Sequence, residues 1–201
     1  MDLKLPKKIY FLRGLSRSAW HWGDFPQRLA DHFNVKAQTL ELPGFGDRNA
    51  ESSPNSIAKI TDILKNETKD QEPVALIAIS MGGMIAMDWA SRYPGSVSHL
   101  CIINSSAGNL SLPYQRLRAK AIVTISKLLL SEDHHYREKN ILELTCNQKV
   151  VDQGLVEAYA NYSRNFPVKR KDFFSQLLAA STFKVPKEIP VEKFSILASE
   201  N

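Results

Sequence analysis

The chain has 201 residues, 43% of them hydrophobic and 23% charged, with a formal net charge of +5. That is the size and balance of one globular domain with a substantial core, and it excludes a disordered or fibrous chain. Two distant cysteines, Cys101 and Cys146, exclude a disulfide framework or a metal knuckle, and no apolar run is long enough for a membrane span.

In chain order, strands and helices alternate. Ile9 to Leu12 reads as a short apolar strand running into Arg13-Gly14-Leu15. Phe25 to Phe33 reads as a helix, with Phe25, Leu29 and Phe33 as its apolar stripe and Pro26 at its start. Ala37 to Leu42 is a second strand, closed by the turn Pro43-Gly44-Phe45-Gly46. Ser56 to Leu64 is a helix, Val74 to Ile79 a third strand and Met81 to Tyr93 the helix after it. Leu100 to Ile103 is a fourth strand. This alternation predicts an α/β fold, a mostly parallel sheet covered by helices on both faces.

The pattern then lapses. Helical stripes follow at Tyr114 to Leu128, around Ile141 to Thr145, from Val151 to Tyr162 and around Phe173 to Leu178, before a last strand at Phe194 to Ala198. The division expected is a core over residues 1–108, a helical insertion over 109–190, and the start of a further part of the core over 191–201. Residues 107–193 carry 14 Lys and Arg against 9 Asp and Glu, which is where the excess charge sits. A solvated helical surface explains that excess, and so does a face for an anionic substrate or an acidic carrier protein. Nucleic acid is disfavoured, because no aromatic residues interleave the basic ones in a recognisable module.

The chemistry centres on Ser80. An apolar, β-prone run enters Ala78-Ile79-Ser80-Met81-Gly82 and a helical pattern leaves it, which is how a serine is held on a sharp strand-to-helix turn. Such a turn exposes the hydroxyl as a nucleophile and sets the Met81 N–H to donate to a developing oxyanion. The first position of the usual Gly-x-Ser-x-Gly pattern is Ala78. As a plain strand-to-helix connection, Ser80 would be a helix cap instead.

With these motifs in the chain, the sequence resembles the α/β-hydrolase superfamily along essentially its whole length. The run Leu12-Arg13-Gly14-Leu15 with Trp20-His21-Trp22-Gly23-Asp24-Phe25 is similar to a bacterial subgroup of it. The resemblance implies a serine hydrolase of carboxylic esters or thioesters, working through an acyl-enzyme on Ser80 without cofactor or metal. It implies a second oxyanion donor at the Leu15 N–H, with Arg13 standing where many members have histidine. Arg13, Gly14, Trp20, His21, Phe45 and, from the helical insertion, Tyr114 are the candidates for the substrate pocket. Each of these aromatic residues is equally explained by packing. The family order of serine, acid and histidine puts the acid at or just beyond Asn201 and the histidine later. Neither His21, His32, His99 nor the pair His134-His135 fits the role of base, so a chain cut short and of low activity is expected. A cytoplasmic setting is expected from an N-terminus without a signal core, and self-association from an uncovered last strand. The alternative is a non-catalytic binding or scaffold protein on the same fold.

Overall fold

The computed structural model describes residues 6–110, 131–145 and 151–199; the expected helix at Tyr114 to Leu128 lies outside them. Five strands, β1 (Lys8–Leu12), β2 (Lys36–Leu40), β3 (Val74–Ile79), β4 (Val97–Ile103) and β5 (Lys193–Leu197), form one all-parallel sheet in the order β2-β1-β3-β4-β5. Helices α1 (Phe25–Phe33), α2 (Ile57–Thr68) and α3 (Met81–Arg92) are the crossovers between the first four strands. Among the described residues, three more, α4 (His134–Thr145), α5 (Gln153–Asn165) and α6 (Arg170–Thr182), intervene before β5. Among the described residues no helix is long and apolar enough to cross a membrane.

The strand period of two divides the core. Tyr10 and Leu12, Leu76 and Ala78, and Leu100 and Ile102 face α2 and α3, meeting Ile60, Leu64, Ile85 and Trp89. Each leucine or isoleucine among them, fully buried, contributes on the order of 2 kcal/mol before entropy is counted. Arg92 on α3 ties the two helices, bonding Asp88 at 2.7 Å and Asp62 of α2 at 2.6 Å. The opposite face, with Ile9, Phe11 and Ala75, is covered by α1. The α1 stripe differs from the sequence reading. Pro26 and Ala30 are buried, while Phe25 and Phe33 are two-fifths exposed. Leu29 of the stripe packs against the sheet, and Phe25 covers the rim, edge-on to Phe11 at 5.9 Å.

β4 starts at Val97, three residues before the apolar run, because backbone pairing with β3 extends through polar Ser98 and His99. Beyond it β5 is exposed along its length, with Ile196 two-thirds accessible.

The order β2-β1-β3 reverses direction between β1 and β3, so the chains leaving their carboxyl ends part and open a crevice there. Residues 13–24 line it as a loop held on both sides. On one side, β2 ends at Leu40 instead of Leu42, and the Glu41 side chain turns in to accept from the Ala19 N–H at 2.9 Å and the Leu42 N–H at 3.2 Å. On the other, Arg17 pairs with Glu138 of α4 at 2.6 Å, both side chains nearly buried. Trp20 stacks on Tyr162 of α5 at 4.4 Å, and His21 meets Tyr159 edge-on at 4.8 Å.

Burial sets two opposed pH responses in this loop. It pushes the Glu41 carboxyl up to about 7 and, with Arg17 and Arg13 nearby, pushes the His21 imidazole down to about 3. Folded Glu41 keeps a proton that the unfolded chain releases near 4.5, so its contribution to stability falls as pH rises from 4.5 to 7. Folded His21 refuses a proton that the unfolded chain takes below 6.5, so its contribution falls as pH drops from 6.5 toward 3. Glu41→Gln is expected to remove the first slope only. The urea midpoint of the variant should climb more steeply than that of the parent chain between pH 4.5 and 6.5, and should not sag from there to pH 7.5. Parallel curves would show that Glu41 keeps its ordinary titration.

Candidate active site

At the carboxyl end of β3 the backbone of Ser80 takes φ 55° and ψ −121°. Non-glycine residues visit that region only where the surroundings impose it, at a cost of about 1–3 kcal/mol. Here the surroundings do. The Ser80 N–H donates to the Ile103 carbonyl at 2.9 Å, and the Ser80 carbonyl accepts from the Gly83 N–H at 2.9 Å and the Ser105 hydroxyl at 2.8 Å. Peptide bonds on both sides of the residue are thereby fixed, and its side chain is left exposed.

Three glycines make room for that bend. A Cβ on Gly82 would come within 2.6 Å of the Leu12 carbonyl oxygen and 2.7 Å of that of Arg13. One on Gly83 would meet Ser105 Cβ at 2.9 Å, and one on Gly14 would meet Ser80 Cβ at 2.8 Å. The close approach seats the start of α3 directly behind Ser80. Met81 is the first residue of α3, so its N–H has no acceptor within the helix. Its side chain is in the core, as is Ala78, which stands where the common pattern has glycine.

Ser80 opens into a cavity of about 870 Å³. Arg13, Gly14 and Leu15 line it from the loop after β1, together with Ser16 and Arg17. From the other side come His134, Arg137, Ile141 and Leu144 of α4, then Arg170 and Phe173 of α6. The remaining pocket candidates are elsewhere. Trp20 and His21 are taken up by Tyr159 and Tyr162, and the His21 Nδ1 is 3.0 Å from the Ser18 hydroxyl. Phe45, 1% exposed, borders a much smaller cavity with His21 and Tyr162. Tyr114 lies outside the described residues.

Sequence reasoning did not single out Arg17, Arg137, Arg170 or Ser105. Arg17 and Glu138 are 121 residues apart, and neither belongs to a local motif that would announce the pair. His134, read from sequence as part of a charged turn, opens α4, borders the Ser80 cavity and lies 2.8 Å from the Ser163 hydroxyl through Nδ1. No histidine hydrogen-bonds the Ser80 hydroxyl among the described residues, and none of these residues form a cluster of three or more His, Cys, Asp or Glu able to hold a metal.

Comparison with known proteins places this geometry in a family. Residues 9–185 match the model of the Alpha/beta hydrolase family. Over 101 residues the chain is 30% identical to a pimeloyl-[acyl-carrier protein] methyl ester esterase of Neisseria meningitidis, the match covering 50% of this chain and 38% of the relative. A protein of the same description from Wigglesworthia glossinidia brevipalpis is 31% identical over 98 residues, covering 49% and 36%. These matches thus span under two-fifths of the curated relatives' length. Among solved structures, a lipase-esterase related protein from Clostridium acetobutylicum superposes with a TM-score of 0.66 at 18% identity, covering 98% of this chain and 87% of that one. An esterase from Exiguobacterium antarcticum gives 0.67 at 15% identity, covering 92% and 69%. With the family model running over most of its length and the fold shared by these neighbours, the chain belongs to the alpha/beta hydrolase family.

Proposed function

We propose that this protein hydrolyses carboxylic esters or thioesters of acyl substrates through an acyl-enzyme on Ser80. The observation that carries the reading is the imposed left-handed backbone of Ser80, which presents an exposed hydroxyl to a roomy cavity at the point where the sheet order reverses. In this scheme Ser80 Oγ forms a bond to the substrate carbonyl carbon while its proton passes to a base. The N–H groups of Leu15 and Met81 hold the oxyanion. The tetrahedral intermediate then expels the alcohol or thiol, which takes the proton, and water releases the acid in a second round. Helices α4 and α6, which line the cavity, act as a cap that shapes the acyl site. The curated relatives' names support an ester of a carrier-bound acyl group as the kind of substrate.

A binding role without turnover is the alternative, favoured by the lack of any histidine bonded to Ser80 among the described residues. A fluorophosphonate probe separates the two. Covalent labelling at Ser80, lost in Ser80→Ala, is expected of the hydrolase; a parent chain that labels no faster than Ser80→Ala would leave only the binding role. With no histidine bonded to Ser80 among the described residues, labelling is expected to be slow and turnover of p-nitrophenyl esters at least about 10³-fold below that of typical esterases, since a serine without its base loses most of its rate. Full turnover would show that a base reaches Ser80.

Gly14→Ala and Gly82→Ala test the bend itself. Each is expected to lower stability by about 1–3 kcal/mol, by the overpacking its Cβ creates. Gly14→Ala should in addition cut labelling more than tenfold in the fraction that stays folded, because its methyl displaces the Ser80 side chain. Unchanged melting and labelling for both would mean that the bend relaxes freely.

A further inference from the structure

The cavity that holds Ser80 carries charge out of balance. Four arginines, Arg13, Arg17, Arg137 and Arg170, line it against one carboxylate, Glu132. Arg17 is answered by Glu138 at 2.6 Å. The guanidinium groups of the other three make no ion pair or hydrogen bond among the described residues.

Arg13 is the telling one. Its Nε is buried with no hydrogen-bond partner, and the nearby Trp22 Nε1 is likewise buried and unpartnered. The Arg13 guanidinium carbon lies 4.9 Å from the centroid of the Trp22 ring, which steadies the group by cation–π attraction and supplies no acceptor. Buried donors in native proteins are nearly always paired, and a buried cation without a counter-charge is costly. Outside the described residues, the acidic side chains of residues 1–201 are Asp2 and Glu200. Residues 111–130 and 146–150 contain no Asp or Glu, whereas they add Arg116, Arg118, Lys120, Lys127 and Lys149. Burial first, then the neighbouring Arg17, pushes the Arg13 guanidinium down to about 10, which still leaves it charged at neutral pH.

We propose that Arg13 is the receptor for an anionic oxygen group of the substrate, bound in the same cavity as Ser80. This rests on the hydrolase reading and names its substrate class: an acyl ester or thioester that also bears a carboxylate at the far end of its acyl chain or a phosphate in its leaving group. The planar guanidinium fork matches either group with two parallel hydrogen bonds. Its place in the sequence suits the task. Arg13 immediately precedes the glycine that lies against Ser80, so the anion receptor and the nucleophile are held by one turn of chain. A cavity of about 870 Å³ accommodates one ligand that reaches both.

The test is equilibrium binding to the Ser80→Ala chain by calorimetry, with Trp22 fluorescence as a second signal. Monomethyl adipate is expected to bind at least tenfold more tightly than dimethyl adipate at pH 7, or 4′-phosphopantetheine at least tenfold more tightly than pantetheine. The pair that discriminates identifies the carboxylate or the phosphate as the source of the anion. Arg13→Met, added to Ser80→Ala, should bring the discriminating pair within twofold of each other while the far-UV circular dichroism is unchanged. Arg13→Lys, which keeps the charge and loses the fork, should retain part of the preference; it decides the matter if Arg13→Met does not fold. No preference for either anion, or a preference that survives both substitutions, overturns the proposal. Fluorophosphonate labelling of the unsubstituted chain is read separately. An Arg13-dependent preference without labelling removes the hydrolase reading and leaves the anion receptor. Labelling at Ser80 without the preference does the reverse.

Discussion

The structure turns on one backbone conformation that the chain would not choose for itself. Ser80 occupies φ 55° because a strand, a helix start and two neighbouring strand ends all close on it at once. Its N–H and carbonyl are both engaged, by Ile103, Gly83 and Ser105, so the bend cannot relax without giving up these hydrogen bonds. The strain of a few kcal/mol is sustained by the surrounding core, where Trp89, Ile85 and Leu12 are fully buried. Glycines 14, 82 and 83 are the geometric condition for it, since each occupies a gap too narrow for a methyl group.

Around that point the polar groups are arranged in layers. Glu41 steadies the loop after β1 from the sheet side, where burial raises its carboxyl to about 7. Glu138 steadies it from α4 through Arg17. A nearly buried ion pair of this kind gains little over an apolar pair of the same shape, yet losing one partner costs several kcal/mol because the other is stranded. Its contribution is therefore to fix which way the loop runs more than to add stability. The two arginines of the loop then stand in contrast: Arg17 has its carboxylate, and Arg13 has an indole ring.

How far the sequence reveals this depends on the range of each interaction. β3 and its helix are legible to the residue or nearly so, because both the continuous apolar run and the turn between them are local. The same locality exposes Ser80 and the Arg13-Gly14-Leu15 run, which the structure brings to one cavity. The apolar stripe of α1 is right at Leu29, which packs against Ile9, Phe11 and Ala75, whereas Phe25 and Phe33 stand at the margin and Pro26 and Ala30 are the buried residues. β2 is read two residues too long because the side chain of Glu41 turns inward after Leu40, a rotation set by the Ala19 amide in another segment. Trp20 and His21 have the composition of pocket residues, but their partners Tyr159 and Tyr162 are some 140 residues away and only folding brings them together. The arginines of α4 and α6 look like ordinary surface charge until the helices are seen to face the cavity.

The Arg17–Glu138 pair and the Trp20–Tyr162 stack have a mechanical consequence. They tie the loop that carries Leu15 to α4 and α5, so a displacement of either helix pulls on that loop. Because α4 also lines the cavity beside Ser80, that loop and one wall of the cavity are coupled in position.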